Sequence, residues 1–171
     1  MYEVLLAGEL GFLHFVQTLH TPLLNTVMIK ISAVGEEGMV WLVMGMLLLL
    51  WRRYRLHGVA ILWVLVLTAA VVWVLKDLIA RPRPCQLEPL VALLIAAPSN
   101  FSCPSGHATA AFSVVPILWS AKRWWGYLAT GLALLMGFSR NYLFVHFPSD
   151  VLAGAVLGLS AGYLALRFIR K

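Results

Sequence analysis

Long apolar runs, broken at intervals by short polar clusters, organise this chain. Uncharged stretches cover 38–51, 58–75, 108–121, 124–139 and 151–166, with lengths of 14, 18, 14, 16 and 16 residues. Each falls short of the roughly 20 residues that cross a bilayer core. The helices they predict therefore extend into their polar flanks, which sets the flanking Lys, Arg, His and Asp at headgroup depth. The expected fold is all-α: a polytopic membrane helical bundle with five or six transmembrane helices, forming one domain over residues 1–171. Residues 1–35 read as interfacial helices and 36–171 as the helical core.

Finer patterning fills in the ends. Thr21-Pro22 reads as an N-cap followed by proline at the first helical position. Leu24, Val27, Met28 and Ile31 then recur at helical spacing among Asn25, Lys30 and Ser32, predicting an amphipathic helix on the outer surface. Residues 3–20 form either a second helix of this kind or a sixth span. The stretch MYEVLLAGEL lacks a basic opening and carries Glu3 and Glu9, which does not fit a secretory signal. In the last run Gly154, Gly158 and Gly162 recur every fourth residue, a face for close helix packing. Trp51, Trp119, Trp124 and Trp125 sit where an aromatic belt would lie.

Composition agrees with a lipid environment. Hydrophobic residues make up 61% of the 171 and charged residues 12%, against about 25% charged in soluble proteins. The net charge of +6 is spread in short clusters between apolar runs, which fits membrane topology and not a nucleic-acid surface. If the spans alternate, one side receives Arg52, Arg53, Arg55, Lys122, Arg123, Arg167, Arg170 and Lys171, with no acidic residue. The other receives Lys30, Lys76, Arg81, Arg83 and Arg140 with all seven acidic residues. The positive-inside rule makes the first side, and the C-terminus, cytoplasmic.

Three polar groups interrupt the oil on the outer side: KDLIARPRP (76–84), PSGH (104–107) and SRNYLFVHFPSD (139–150). Taken singly, each has an ordinary explanation, as snorkelling cations, a capped helix start, or a carboxylate on a helix dipole. Together they are complementary. Lys76, Arg83 and Arg140 supply three positive charges at one depth, two of them planar forks suited to phosphate oxygens. Such a gathering of cations favours an anion over a metal ion. The helix start at Ser105-Gly106 adds backbone N–H donors. His146 and Asp150 have the histidine–carboxylate relationship that orients an imidazole nucleophile, and His107 is available to protonate a leaving oxygen.

The order K-x6-RP, PSGH and SR-x5-H-x3-D resembles the three-part signature of the type 2 phosphatidic acid phosphatase superfamily, with every signature position matched. The resemblance implies His146 as the nucleophile that forms a phosphohistidine, Asp150 orienting it, and His107 as general acid. It implies Lys76, Arg83, Ser105, Gly106 and Arg140 as the phosphate cradle, with no metal and no cofactor. Arg81 is outside the signature and reads as a headgroup contact, while His14, His20 and His57 read as bystanders.

The expected partners are a lipid phosphate substrate and membrane lipids, with no nucleic acid. Similarity to small bacterial members implies a multi-pass protein of the bacterial inner membrane, its site facing the extracytoplasmic side. The preferred substrate is undecaprenyl pyrophosphate; phosphatidylglycerophosphate and phosphatidic acid are the alternatives. A non-catalytic anionic-lipid binder or transporter is the rival from another class, and a haloperoxidase activity fits poorly with a short, membrane-bound chain. Cys85 and Cys103 bracket the loop joining the first two motifs. The expectation is a disulfide pinning the two motifs, with a pair of free thiols as the alternative. Within that loop LVALLIAA (90–97) is too short to span and either dips into the outer leaflet or plugs the surface.

Overall fold

A computed structural model describes residues 2–169, all of whose regular structure is helical. The order is α1 (Tyr2–Gln17), α2 (Pro22–Val34), a 3₁₀ turn (Glu36–Gly38), α3 (Met39–Leu50), α4 (Arg55–Ile79), α5 (Pro84–Leu87), α6 (Gly106–Ala121), α7 (Arg123–Tyr142) and α8 (Pro148–Ile169). Arg170 and Lys171, assigned above to the basic side, lie outside the described residues.

Local chemistry explains most boundaries. Thr21 caps α2 as expected, its side chain accepting from the Leu24 amide, with Pro22 opening the first turn. Helix α4 stops at Ala80, which adopts the left-handed conformation (φ 47°) while its amide donates to the Lys76 carbonyl. Pro82 and Pro84 follow and prevent continuation. Ser105 caps α6 and Pro148 opens α8.

The centre of the bundle is α6, packed against α4, α7 and α8. Its seam with α8 rests on the glycine stripe. A Cβ at Gly154 would come within 2.7 Å of the Ser105 carbonyl oxygen, and Cβ atoms at Gly158 and Gly162 would collide with the carbonyls of Thr109 and Ser113. Only hydrogen fits at these three positions, so the backbones touch and the two helices hold a fixed register. Trp41, Ile61, Val64, Val114, Ile117 and Met136 fill the core beside that seam.

The outward surface is apolar: Trp63, Val66, Trp73 and Leu78 on α4 are largely exposed, a face that lipid covers. By length and apolar composition alone, two helical segments are able to cross a membrane, Arg55–Leu87 and Pro148–Arg167. Pro22–Val34 with Met39–Leu49, bent by 52°, makes a third if the pair is one span. Among the described residues α3 and α6 fall below that length, with 12 and 16 residues, and α7 carries arginine at both ends. The tryptophans also divide. Trp51 and Trp124 are exposed as belt residues, whereas Trp125 meets Tyr54 at a tilt with ring centroids 4.7 Å apart, and Trp119 meets Tyr127 edge-on at 4.6 Å. The Tyr54–Trp125 contact sets the α3–α4 and α6–α7 turns side by side, at the end of the bundle away from the polar motifs.

Candidate active site

The three motifs meet in one cavity of about 410 Å³. Lys76, from the last turns of α4, Arg83 from the segment after it, Gly106 and His107 from the first turn of α6, Arg140 near the end of α7, and His146 from the α7–α8 turn all line it. Of the expected cradle, Ser105 does not reach the cavity. It is fully buried and its hydroxyl caps α6 through the Ala108 amide at 3.5 Å. Gly106 does face it, and a Cβ there would meet only Val72 at 3.8 Å, so a ligand has open access to this backbone.

His146 occupies the α7–α8 turn with its two nitrogens in different surroundings. Nε2 lies 3.2 Å from Arg83 Nη1, while Nδ1 lies 3.4 Å from Ser102 Oγ and 3.6 Å from Asp150 Oδ2. Complete burial, aided by the Arg83 and Arg140 charges and opposed by Asp150, lowers the His146 pKa to about 3. The ring is therefore neutral at physiological pH, with a lone pair able to attack. Asp150, on the first turn of α8, is buried and fully engaged: Oδ2 accepts from Ser102 Oγ (2.5 Å) and the Phe147 amide (2.9 Å), and Oδ1 accepts from Arg81 (2.7 Å). Asn141 steadies the turn by donating to the His146 carbonyl at 2.9 Å.

The cations differ in how much of their donor capacity is spent. Arg83 donates from Nε to the Asn100 carbonyl (2.7 Å), from Nη1 to Val145 O (2.7 Å) and His146, and from Nη2 to Asn100 Oδ1 (2.5 Å) and Phe101 O (3.3 Å). Its guanidinium keeps its charge at neutral pH. Lys76 donates to the Phe101 carbonyl. Arg140 donates to the Ser32 hydroxyl on α2, and its buried Nε has no partner among the described residues. His107 Nε2 lies 3.2 Å from the Ser32 carbonyl; since a carbonyl only accepts, the proton is on Nε2 and Nδ1 is the nitrogen free to exchange one.

Several of these residues carry no motif. Ser32, Asn100 and Ser102 enter the site through tertiary contacts alone, whereas Asn141, beside Arg140 in the third motif, acts locally within the α7–α8 turn. Arg81, expected at the headgroups, instead turns away from the cavity and binds Asp150, Ser149 and Glu9. His14 pairs with Glu88, His20 with the Tyr142 carbonyl, and His57 lies beside Tyr54 at the opposite end; none lines the cavity, as expected of bystanders.

The expected disulfide is absent: Cys85 and Cys103 are both free. The Cys85 thiol is buried in the cluster of Leu13, Phe144 and Phe147, whereas Cys103 sits beside Asp150. Burial raises the pKa of the Cys103 thiol, and the Asp150 charge adds to the effect. The loop between them is a plug. Leu94 and Ile95 pack on Met28, Tyr142 and Val145, while Val91 and Leu93 pack on the Cys85 cluster.

The sequence model of the PAP2 superfamily matches residues 57–171. The undecaprenyl-diphosphatase of Sulfolobus acidocaldarius is 33% identical over 145 residues, covering 84% of this chain and 70% of that protein. The phosphatidylglycerophosphatase B of Bacillus subtilis is 34% identical, covering 88% and 77%. Among solved structures, the transmembrane PAP2 type phosphatidylglycerolphosphate phosphatase from Bacillus subtilis superposes with a TM-score of 0.84 at 30% identity, over 98% of this chain and 87% of that one. Aquifex aeolicus LpxE gives 0.79 at 28% identity, over 93% and 94%.

Proposed function

The chain belongs to the PAP2 superfamily and is a membrane lipid phosphatase; on that premise we propose that it acts through a phosphohistidine on His146. The observation that carries this reading is the His146 ring itself, which lines a cavity ringed by Lys76, Arg83 and Arg140, with Nε2 held by Arg83 and Nδ1 backed by Asp150.

The terminal phosphoryl group of the substrate enters among the three cations and the free amides at Gly106, where its charge is neutralised without a metal ion. Nε2 of His146 attacks phosphorus, the bond from phosphorus to the bridging oxygen breaks, and Nδ1–H donates to Asp150 as the ring becomes cationic. His107, carrying a second proton on Nδ1 once the anion is bound beside it, gives that proton to the departing oxygen and is left neutral. Water then attacks the phosphohistidine while His107 takes back a proton, releasing inorganic phosphate and neutral His146.

The substrate is a lipid phosphate or diphosphate met at the outer interface, with undecaprenyl pyrophosphate preferred. The same cavity is also lined by the apolar side chains of Leu65, Ala69, Val72 and Trp73 of α4 and Ala110 of α6, which suit the first units of a lipid tail. The cell membrane, with the site facing the extracytoplasmic side and the C-terminus inside, follows from the basic residues at the opposite end of the bundle.

A panel of undecaprenyl pyrophosphate, phosphatidylglycerophosphate and phosphatidic acid, assayed by phosphate release, tests the substrate; faster turnover of either glycerolipid would reassign it. For the mechanism, His146→Ala abolishes phosphate release while leaving lipid binding in place. Undiminished release by that variant would refute it.

A further inference from the structure

Asp150 is held on two sides, and one residue organises both. Arg81 donates from Nη1 to Asp150 Oδ1 at 2.7 Å and to Ser149 Oγ at 2.7 Å. Its backbone carbonyl accepts the Ser102 amide at 2.9 Å, and the Ser102 hydroxyl in turn donates to Asp150 Oδ2. The guanidinium carbon stands 4.0 Å over the ring of Phe147, the neighbour of His146. A second anchor comes from α1: Glu9 Oε2 accepts from Arg81 Nη2 at 2.6 Å, and Glu9 Oε1 accepts from the Ser149 amide at 2.9 Å. Arg81 does not line the cavity, and its side chain is 15% exposed.

We propose that Arg81 is a positioning residue for the catalytic pair: its guanidinium, clamped by Glu9, locks the Asp150 carboxylate so that Oδ2 stays turned to the Nδ1 edge of His146. The proposal rests on the reading of His146 and Asp150 given above. A planar fork is needed because one side chain must meet two carboxylates and a hydroxyl from different directions at once. Helix α1 thereby becomes part of the catalytic apparatus without touching substrate.

The arrangement also sets charge. His146 faces Asp150 from α8, Arg83 from the α4–α5 segment and Arg140 from α7. Asp150 faces Arg81, Lys76, Arg83 and Cys103 besides His146. Arg81 offsets the Asp150 charge, so its loss leaves that carboxylate acting on the imidazole with less compensation, and the ring becomes more basic.

Steady-state kinetics and pH profiles of Arg81→Gln, Arg81→Lys and Glu9→Gln, beside wild type and His146→Ala, test this. Elution as a single species in detergent confirms that each variant is folded. We expect Arg81→Gln to lower kcat by about 10- to 100-fold, the usual range for a residue supporting a site from behind, with KM unchanged. The acidic limb of its kcat/KM profile moves to higher pH. Arg81→Lys keeps the charge and restores the limb but not the full kcat, and Glu9→Gln lowers kcat by a smaller factor at the same KM. A raised KM with unchanged kcat would overturn the proposal in favour of a headgroup contact. So would an unmoved acidic limb in Arg81→Gln, or wild-type kcat in either the Arg81→Gln or the Glu9→Gln variant. Phosphate release by His146→Ala would instead sink the underlying mechanism, so the two failures are distinguishable.

Discussion

Arg83 donates to Nε2 of His146 across 3.2 Å, and that contact fixes where the imidazole carries its proton. A nitrogen that accepts from a guanidinium has its lone pair outward, so the proton is on Nδ1, facing Asp150. The resting protein thus holds His146 in the tautomer that a phosphoryl acceptor needs, and phosphate has only to displace one donor.

The low basicity of His146 has a consequence for stability. The folded ring titrates at about 3 and the unfolded one near 6.5. Between these values the unfolded chain binds the extra proton, so stability from this group is complete above about pH 6.5 and is lost as pH falls toward 3. The thermal midpoint in detergent should drop as pH is lowered from 6.5 to about 4, and His146→Asn should show a shallower slope. Histidine ¹⁵N spectra should show the His146 ring neutral throughout pH 5 to 8.

Arg140 and Arg83 are expected to behave differently toward an anion. Arg140 has a buried Nε without a partner among the described residues, whereas every Arg83 donor is already engaged by the protein. Arg140→Gln should weaken inhibition by orthovanadate, a phosphate mimic, by about 10- to 100-fold, the equivalent of one charge-assisted hydrogen bond at roughly 1.5–3 kcal/mol. Arg83→Gln should in addition lower the thermal midpoint, because it frees the carbonyls of Asn100 and Val145. Vanadate titration and thermal unfolding of the two variants check this.

The α6–α8 seam makes a steric prediction. Gly158→Ala drives a methyl into the Thr109 carbonyl, and such overpacking typically costs about 1–3 kcal/mol. Gly131 on α7 has nothing within 4 Å of an added Cβ, so Gly131→Ala should leave stability and activity in place. Thermal midpoints of the pair separate packing from helix propensity.

Both cysteines should alkylate without reductant, and slowly: Cys103 first, its thiol held protonated at neutral pH, and Cys85 later because it is buried. Peptide mass mapping should find no Cys85–Cys103 link, and the Cys85→Ala/Cys103→Ala variant should keep its phosphatase activity.

Much of this protein was legible in the chain. The apolar runs and their charge segregation determined a helical membrane bundle with its polar cluster at one end, because hydropathy and charge act locally and summed over whole helices. The residues Lys76, Arg83, His107, Arg140, His146 and Asp150 were legible because their chemistry recurs at set spacings within short motifs. Glycines four apart announced the α6–α8 seam for the same reason. The tertiary structure alone decided which donors remain free, since that depends on acceptors arriving from elsewhere: Ser32 meets Arg140 across 108 residues and Glu9 meets Arg81 across 72. It decided that Ser105 caps its helix instead of lining the cavity, and that the cysteines, close in sequence to adjacent motifs, point into different surroundings. Side-chain direction across distant segments is set by packing and leaves no periodic trace, so Ser102, Asn100 and the Arg81 clamp came into view only once the helices were assembled.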